Sequence, residues 1–323
     1  MGTYVVTGSA SGMGAASADR LRAAGHRVIG VDLRDADVIA DLGSETGRRH
    51  AVEEVLRLTD GTLDGVAAVA GVGPNMRDAS AVVSINYHGP VALLEGLRPA
   101  LERSGAGRAV VISSNSASTV PLTDDVLLGL LLDGEESAAR DQAAKVQSAL
   151  PAALVQTAPS ISAYATSKLA LARWVRRTAV TPQWARRGIL LNAIAPGAVI
   201  TPLMTGSTDV TATPDPDSFP TPMPLGIFGQ PEDIAFWVEQ FLRPEARFTT
   251  GSILYVDGGT DAAMRTDAQP GPASGAFVRP HRGRAEGLAV INSRAVGARR
   301  PGAGRRAKPW SGAGSSHECT RGP

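Results

Sequence analysis

Apolar runs alternate with helical patterns along most of this chain, and the alternation limits the folds it can adopt. Several runs are apolar at every position, which is typical of strands buried on both faces. Because helical stretches separate most of the runs, we expect an α/β domain over residues 1–265, with a parallel sheet wound with helices on both sides. The strand candidates are Tyr4–Thr7, Arg27–Asp32, Val38–Ala40, Gly65–Ala70, Ala109–Ser113, Ile189–Ile194 and Ser252–Val256.

Length and composition agree with one large domain followed by a different tail. The chain has 323 residues, of which 43% are hydrophobic, enough for a substantial core. Residues 266–323 are rich in Gly, Ala, Arg and Pro without periodicity, so we expect them to be disordered. Ten basic residues in this tail oppose three acidic ones, which leaves the remainder mildly acidic and argues against a nucleic-acid partner. A basic RNA-binding or membrane-surface arm is the alternative to an extension without function.

The sequence also excludes several kinds of site. A single cysteine, Cys319, rules out disulfide scaffolding and thiolate metal sites within one chain. The five histidines show no pair at metal-ligand spacing, so we expect no metal. No apolar run is long enough to span a bilayer, and Thr3–Thr7 reads as a first strand rather than as part of a signal peptide. We therefore expect a cytoplasmic protein without a membrane partner.

A glycine-rich segment lies between the first strand and a helix that ends near Ala24. Glycines allow the backbone to turn sharply and to approach a pyrophosphate, while the helix N-terminus offers N–H groups and a positive dipole end. A plain tight turn is the alternative, but the placement between strand and helix favours a dinucleotide. The predicted phosphate-binding residues are Gly8, Ser11, Gly12, Met13 and Gly14.

The second strand ends in Asp32, about 20 residues after the glycines, where an acid can bind the adenosine ribose hydroxyls. Its charge would repel a 2′-phosphate, and the non-basic Ser11 also favours NAD over NADP, whereas Arg34 leaves the preference slightly open. A turn aspartate at the strand end is the alternative. Further cofactor candidates, for which solvation or core packing is an equally good explanation, are Asp41, Leu42, Ala70 and Gly71.

Tyr164 and Lys168 are four residues apart in a helical pattern and therefore lie on one helix face. A free tyrosine titrates at about pH 10, too high for a base at neutral pH. A neighbouring ammonium and the positive charge of an oxidised nicotinamide would stabilise the phenolate. Tyr164 would then accept the proton of an alcohol, or donate one to a ketone. A surface pair on an amphipathic helix is the alternative.

Two polar candidates complete this predicted centre. Ser114 ends an apolar strand, and a hydroxyl there points into the crevice where α/β sheets bind ligands. We expect Ser114 to bind the substrate oxygen and stabilise its developing charge, with Ser113 as the alternative that more readily caps or packs. Asn86, in the preceding helical stretch, is predicted to hold a water molecule linking Lys168 to solvent, although a merely polar or helix-kinking residue fits equally well.

The segment after the sixth strand offers a further contact to the cofactor. Pro196-Gly197 is predicted to turn the chain, after which Thr201 would bond the nicotinamide amide; a plain turn is the alternative. Residues 202–230 are Pro-rich and suit a mobile substrate lid.

As a set, these residues resemble the short-chain dehydrogenase/reductase family over about residues 3–260. The resemblance implies a Rossmann-type, doubly wound parallel sheet of seven strands, hydride transfer to or from NAD, and the roles given above for Ser, Tyr, Lys and Asn. Ala68-Val69-Ala70-Gly71 departs from the family's Asn-Asn-Ala-Gly and loses the asparagine contribution. The matching residues occur in the family's order: Gly8, Gly12, Gly14, Asp32, Asn86, Ser114, Tyr164, Lys168, Pro196, Gly197 and Tyr255–Gly259.

A second departure is the interval of 50 residues between Ser114 and Tyr164, far longer than in most relatives. Residues 115–162 carry two helical patterns, Asp124–Leu132 and Glu135–Leu150, and read as a helical insertion. The insertion resembles the branch of 3α-hydroxysteroid dehydrogenases/carbonyl reductases, and coniferyl-alcohol dehydrogenases look similar. Because this region often builds the family's oligomer interface, we expect the insertion to leave a homodimer.

The leading hypothesis is an NAD(H)-dependent oxidoreductase that interconverts a secondary or aromatic alcohol and its carbonyl. A coniferyl-alcohol-type dehydrogenase, a non-catalytic NAD-binding regulator and an epimerase/dehydratase relative are the alternatives. The complete Ser/Tyr/Lys set disfavours the regulator, and the placement of Asn86 and Pro196-Gly197 disfavours the epimerase. Apolar residues in the predicted lid suit a small hydrophobic substrate: Leu203, Met204, Phe219, Met223, Ile227 and Phe228.

Overall fold

The computed structural model describes residues 1–205 and 215–268, which contain one sheet of seven parallel strands. The strand order is β3-β2-β1-β4-β5-β6-β7, and every neighbouring pair is parallel. This confirms the predicted α/β fold, and each predicted strand end is correct to within two residues. The strands are β1 Thr3–Thr7, β2 Arg27–Asp32, β3 Val38–Ile39, β4 Gly65–Ala68, β5 Arg108–Ile112, β6 Leu190–Pro196 and β7 Ile253–Val256.

Helices connect the strands and cover both faces of the sheet. A π-helical turn, Ser84–His88, joins α3 to α4. The helices are α1 Gly12–Ala23, α2 Glu45–Leu58, α3 Ala79–Val83, α4 Gly89–Arg103, α5 Ser116–Thr119, α6 Asp125–Asp133, α7 Glu136–Ser148, α8 Ala152–Thr157, α9 Ile161–Thr178, α10 Pro202–Thr205, α11 Pro231–Leu242 and α12 Thr260–Arg265. Short 3₁₀ turns lie at Ala185–Arg187, Pro216–Ser218, Pro244–Ala246 and Thr266–Ala268.

Two predicted segments are only partly described. Residues 206–214 of the predicted lid lie outside the described residues, and so do residues 269–323 of the tail predicted to be disordered. The domain boundary near residue 265 stays a prediction. Within the described ranges, no helix is both long enough and apolar enough to cross a membrane.

The sheet separates two apolar layers, because successive strand residues point to opposite faces. In β1, Val5 packs into the layer that includes residues of α2, α4 and α9. Tyr4 and Val6 point the other way, into the layer that includes residues of α1 and α11. β4 and β5 repeat this division, with Ala67 and Val110 on the second side. Since both faces are covered, the central strands are apolar throughout, as their sequences indicate.

The insertion contains the two helices that its sequence predicts, α6 and α7, together with the shorter α5 and α8. The Asp124 side chain caps α6 by accepting the N–H of Leu127 at 2.7 Å. The helix ends at Gly134, whose φ of 80° is a left-handed conformation that glycine adopts without strain. α6 and α7 pack against each other and against α9, and α7 also packs against α3. α6 and α7 therefore form a helical hairpin that packs against the body of the domain.

One boundary differs from the sequence interpretation in a way that matters for the site. β6 continues to Pro196, which pairs with Val256 instead of beginning the turn. The proline is tolerated because it is the last strand residue, and its carbonyl accepts the N–H of Asn115 at 2.9 Å. The chain turns at Gly197, where a Cβ atom would lie 2.8 Å from the Cα of Asp257.

Candidate active site

The predicted catalytic residues meet at the carboxyl edge of the sheet, although 50 residues separate the first from the second. The Tyr164 hydroxyl interacts with the side chains of Ser114 and Ser116. Ser116 also donates from Oγ to Ser114 Oγ at 2.7 Å, and its N–H donates to the same atom at 3.2 Å. Three hydroxyls therefore form one connected group, in which Ser114 joins Tyr164 as the sequence predicts.

Ser116 is the member of this group that the sequence interpretation missed. It lies two residues after Ser114, at the start of α5, where the first helical turn returns its side chain to the strand end. The run Ser113-Ser114-Asn115-Ser116 was the available signal. It did not identify Ser116, because the path of the chain after β5 decides which of these hydroxyls face Tyr164.

Lys168 lies near Tyr164 on α9, as the four-residue spacing requires, but its ammonium has a different partner. Nζ donates to the backbone carbonyl of Ile112 at 2.8 Å and lies 5.9 Å from the centroid of the Tyr164 ring. The side chain is buried, and this burial lowers the pKa of Lys168 to about 8. The ammonium therefore stays largely protonated at neutral pH.

Burial also raises the pKa of Tyr164, while the hydrogen bonds from Ser114 and Ser116 act in the opposite direction. Loss of hydration disfavours the phenolate more than the two serines stabilise it. The protein groups alone therefore do not produce the lowered pKa that a tyrosine base needs. The positive nicotinamide charge is the other contribution that the sequence interpretation named.

Ser113 has the packing role that the sequence interpretation gave as its alternative. Its hydroxyl is buried and donates to the backbone carbonyl of Lys168 at 2.9 Å. The side chain therefore binds α9, whereas Ser114 is the serine that interacts with Tyr164.

Asn86 lies buried in the π-helical turn and is close to Lys168. Its Nδ2 donates to the carbonyl of Val72, and its Oδ1 accepts the N–H of the same residue, both at 2.9 Å. A Cβ atom on Gly71 would lie 2.9 Å from Asn86 Oδ1 and 3.4 Å from Lys168 Nζ, so Gly71 leaves the two side chains close together. The water-holding role of Asn86 stays a prediction, while its position in a widened helical turn matches the helix-kinking alternative.

The glycine segment forms a cradle that side chains would fill. Gly8 and Gly12 have φ values of 69° and 52°, which favour glycine. A Cβ atom on Gly14 would lie 2.0 Å from the carbonyl oxygen of Gly8, and one on Gly8 would lie 3.0 Å from the Cα of Ala70. Only small residues at these positions allow the loop, α1 and the end of β4 to meet. The cradle therefore fits the close approach of a pyrophosphate.

The other predicted phosphate-binding residues surround this cradle. Ser11 precedes α1, is exposed and makes no capping bond with its side chain. Met13 is half-buried against the apolar layer of α1 and α11. Thr201 is buried on the opposite side, where a Cβ atom on Gly12 would lie 3.3 Å from its methyl carbon. The segment after β6 and the glycine segment are therefore in contact, as one cofactor site requires.

Asp32 holds the glycine segment while keeping its charge at the sheet edge. One carboxylate oxygen accepts the N–H of Ala10 at 3.0 Å, and the other accepts the N–H of Leu33 at 2.7 Å. At the neighbouring strand end, Asp41 is exposed and accepts the N–H of Gly43 at 2.8 Å, whereas Leu42 is buried. Two carboxylates therefore line the edge where the adenosine end of a dinucleotide is predicted.

The sheet carries a glycine cradle after β1 and a group of serine, tyrosine and lysine side chains beyond the end of β5. This is the architecture of a nucleotide-dependent oxidoreductase. A family model described as "short chain dehydrogenase" matches residues 3–123, and one described as "Enoyl-(Acyl carrier protein) reductase" matches residues 136–261. The 3-alpha-hydroxysteroid dehydrogenase/carbonyl reductase of Comamonas testosteroni is 37% identical over 269 residues, covering 82% of this chain and 98% of its own. The chain belongs to the short-chain dehydrogenase/reductase family, which confirms the resemblance seen in the sequence.

Two further relatives agree with this membership. The cis-4-hydroxycyclohexanecarboxylate dehydrogenase of Sinomonas cyclohexanicum is 33% identical over 260 residues, which cover 80% of this chain and 96% of its own. The crystal structure of the 3-alpha-hydroxysteroid dehydrogenase from Pseudomonas sp. B-0831, complexed with NADH, superposes with a TM-score of 0.69. That structure is 38% identical and covers 81% of this chain and 98% of its own.

Proposed function

We propose that this protein is an NAD(H)-dependent oxidoreductase that interconverts a secondary alcohol and its ketone, with a hydroxysteroid as the first substrate to test. The observation that carries the proposal is the interaction of the Tyr164 hydroxyl with Ser114, at the same sheet edge as the glycine cradle. The similarity to two 3-alpha-hydroxysteroid dehydrogenases supports the substrate class, and the NADH bound in one of them supports the cofactor.

The fit of the cradle suggests which residues hold the cofactor. The glycine segment would bind the pyrophosphate, and Asp32 the adenosine ribose, where its charge disfavours a 2′-phosphate. When bound, NAD supplies the group that exchanges a hydride and, in its oxidised form, a positive charge. The other proposed contacts are Asp41, Leu42, Ala70 and Gly71 on the adenosine side, and Tyr164, Lys168, Pro196, Gly197 and Thr201 on the nicotinamide side.

The protein's own groups manage the proton and the substrate oxygen. Ser114 would hold the substrate oxygen by a hydrogen bond. Tyr164 would accept the alcohol proton during oxidation and donate it during reduction. The ammonium of Lys168 would stabilise the phenolate, and its buried position strengthens this interaction because water screens it less. Ser116 keeps the hydroxyls of Ser114 and Tyr164 oriented toward each other.

The predicted lid supports a hydrophobic substrate only in part. Leu203 and Ile227 are exposed, as residues available to an apolar ligand should be. Phe228, which belongs to the same predicted set, is buried and packs edge-to-face on Phe219 at 5.4 Å between ring centroids. Phe228 therefore supports the lid from within rather than presenting its ring to a ligand.

The test is a turnover assay that follows NADH absorbance, with NAD or NADP and a panel of hydroxysteroids, coniferyl alcohol and cyclic secondary alcohols. We expect the highest kcat/KM with NAD and a hydroxysteroid. Tyr164→Phe should abolish turnover and leave the NADH Kd nearly unchanged, whereas the matched control Tyr255→Phe should retain activity. Activity retained in Tyr164→Phe would contradict the mechanism.

The same assay separates the alternatives. A higher kcat/KM for coniferyl alcohol than for every steroid would favour the coniferyl-alcohol-type dehydrogenase. Tight NADH binding without turnover on any substrate would favour a non-catalytic regulator. We further propose a cytoplasmic homodimer; fractionation of the native cells and light scattering of the purified full chain test these two points.

A further inference from the structure

The insertion reaches the adenosine end of the proposed cofactor site through an ion pair between a buried arginine and a partly exposed glutamate. Arg48 of α2 is 5% exposed, and its Nη2 donates to Glu136 Oε2 at 2.6 Å. Glu136 is the first residue of α7 in the insertion and lies 88 residues away in sequence. The pair therefore joins a helix of the body to a segment that most relatives lack.

The same guanidinium also binds the segment that follows β3. Its Nη1 donates to the carbonyl oxygen of Leu42 at 3.3 Å and, more weakly, to that of Gly43 at 3.5 Å. On the other side of this segment, a Cβ atom on Gly43 would lie 3.0 Å from Ile85 of the π-helical turn. The backbone beside Asp41 is therefore held between the turn and Arg48.

We propose that Glu136, acting through Arg48, is a positioning residue for the adenosine end of the cofactor site. The insertion then serves cofactor binding, although none of its residues belongs to the glycine cradle. This inference rests on the proposed function, because it takes Asp41 and Leu42 as cofactor contacts.

The charges around the pair explain why Arg48 depends on this carboxylate. His88 of the π-helical turn interacts electrostatically with both members of the pair and with Arg140 of α7. Arg140 donates to Ser84 Oγ at 2.8 Å, so it brings a second positive charge to the cluster. Removing the Glu136 charge would leave a buried guanidinium beside another cation, an unfavourable state that a buried arginine relieves by moving. Leu42 and Gly43 would then lose the donor that holds their carbonyls.

The experiment measures the NADH Kd of the full-length protein by fluorescence titration, together with the Tm of each variant. Glu136→Gln should raise the Kd by roughly three- to thirtyfold, the range typical of indirect coupling between neighbouring sites. The matched control is Glu135→Gln, which removes an exposed acid at the preceding position and should leave the Kd unchanged. In an Arg48→Met background, Glu136→Gln should have no further effect, since it acts through the arginine.

A double variant separates an effect of Glu136 on the cofactor site from an effect on the stability of the fold. Replacing both partners by apolar residues, Arg48→Met with Glu136→Leu, should recover the Tm lost in Glu136→Gln but keep the NADH Kd raised. If the Kd recovers with the Tm, or if Glu136→Gln and Glu135→Gln have the same Kd, the inference is overturned.

Asp32→Asn, titrated in the same series, distinguishes this inference from the proposed function. Weaker NADH binding in Asp32→Asn but not in Glu136→Gln would overturn the inference alone. A wild-type protein that does not bind NADH would overturn both.

Discussion

Lys168 Nζ donates to the carbonyl oxygen of Ile112 at 2.8 Å, which ties α9 to the end of β5. Ser113 makes the reverse connection, from its hydroxyl to the carbonyl of Lys168. Because Ser114 follows this connection directly and Tyr164 lies one helical turn before Lys168, the two bonds fix the hydroxyls of Ser114 and Tyr164 relative to each other. The insertion begins after Ser114 and ends before Tyr164, outside this connection. Its length therefore does not disturb the contact between these two side chains.

The adjacent serines give the first prediction. We expect Ser114→Ala to lower kcat/KM by about 100-fold or more, because it removes a donor to the substrate oxygen. Ser113→Ala should reduce activity far less and should lower the free energy of unfolding by about 1 kcal/mol, since it removes one buried hydrogen bond. Steady-state kinetics and urea unfolding of both variants measure the difference. Equal losses of kcat/KM would contradict the assignment of Ser114.

Asp32 is predicted to set the choice of cofactor. Asp32→Asn removes the charge but keeps an acceptor for the N–H of Ala10, so the glycine segment should keep its conformation. We expect the ratio of kcat/KM for NAD over NADP to fall roughly tenfold, as expected when a like charge near a phosphate is removed. Asp35→Asn is the matched control, because Asp35 is exposed in the same loop and its φ of 49° suits asparagine. An unchanged ratio in Asp32→Asn would argue against this role.

Alanine substitutions at two helical glycines should change the free energy of unfolding in opposite directions. Gly14→Ala would place a methyl group against the carbonyl of Gly8, so the free energy of unfolding should fall by about 3 kcal/mol and NADH should bind more weakly. Gly129 lies in the middle of α6 with open space around the position of a Cβ atom. Gly129→Ala should therefore raise the free energy of unfolding by about 1 kcal/mol. Denaturant unfolding measures both; a Gly14→Ala protein with wild-type stability and NADH affinity would refute the cradle.

The pKa of Lys168 predicts how stability depends on pH. Burial lowers this pKa from 10.5 to about 8, so between these values the unfolded chain binds more protons than the folded one. The contribution of Lys168 to the free energy of unfolding should therefore increase as the pH rises through this window, by roughly 3 kcal/mol in total. Lys168→Met should remove that rise, whereas Lys145→Met, at an exposed position, should keep it. Urea unfolding at several alkaline pH values tests this; parallel curves for Lys168→Met and the wild type would be inconsistent with a buried ammonium.

The sequence contains strong signals for the sheet and for part of the site. Burial on both faces makes strands such as β4 and β5 apolar throughout, and the four-residue spacing places Tyr164 and Lys168 on one face. Local patterns of this kind depend on a few neighbouring residues, which is why they can be read directly.

Other features depend on contacts between distant segments and left no local pattern. Ser116 reaches Tyr164 because α5 begins immediately after the strand end, and Lys168 reaches Ile112 because α9 packs beside β5. The Arg48–Glu136 pair joins residues 88 positions apart, and no periodicity connects them. Pro196 can belong to β6 because its carbonyl oxygen accepts the N–H of Asn115. That hydrogen bond depends on the path of the chain after β5.

The π-helical turn at Ser84–His88 has a consequence for the phase of the helix that contains it. Within five residues it directs Asn86 toward Val72 and the neighbourhood of Lys168, and His88 toward the cluster of Arg48 and Glu136. Deleting one residue would convert the wide turn into a regular helical turn, so α3 and α4 would keep their relative phase while the four residues left in the turn would be redistributed around it. Asn86 and His88 would then no longer both point toward their present partners. A single-residue deletion here should therefore disturb both the region around Lys168 and the region around Arg48.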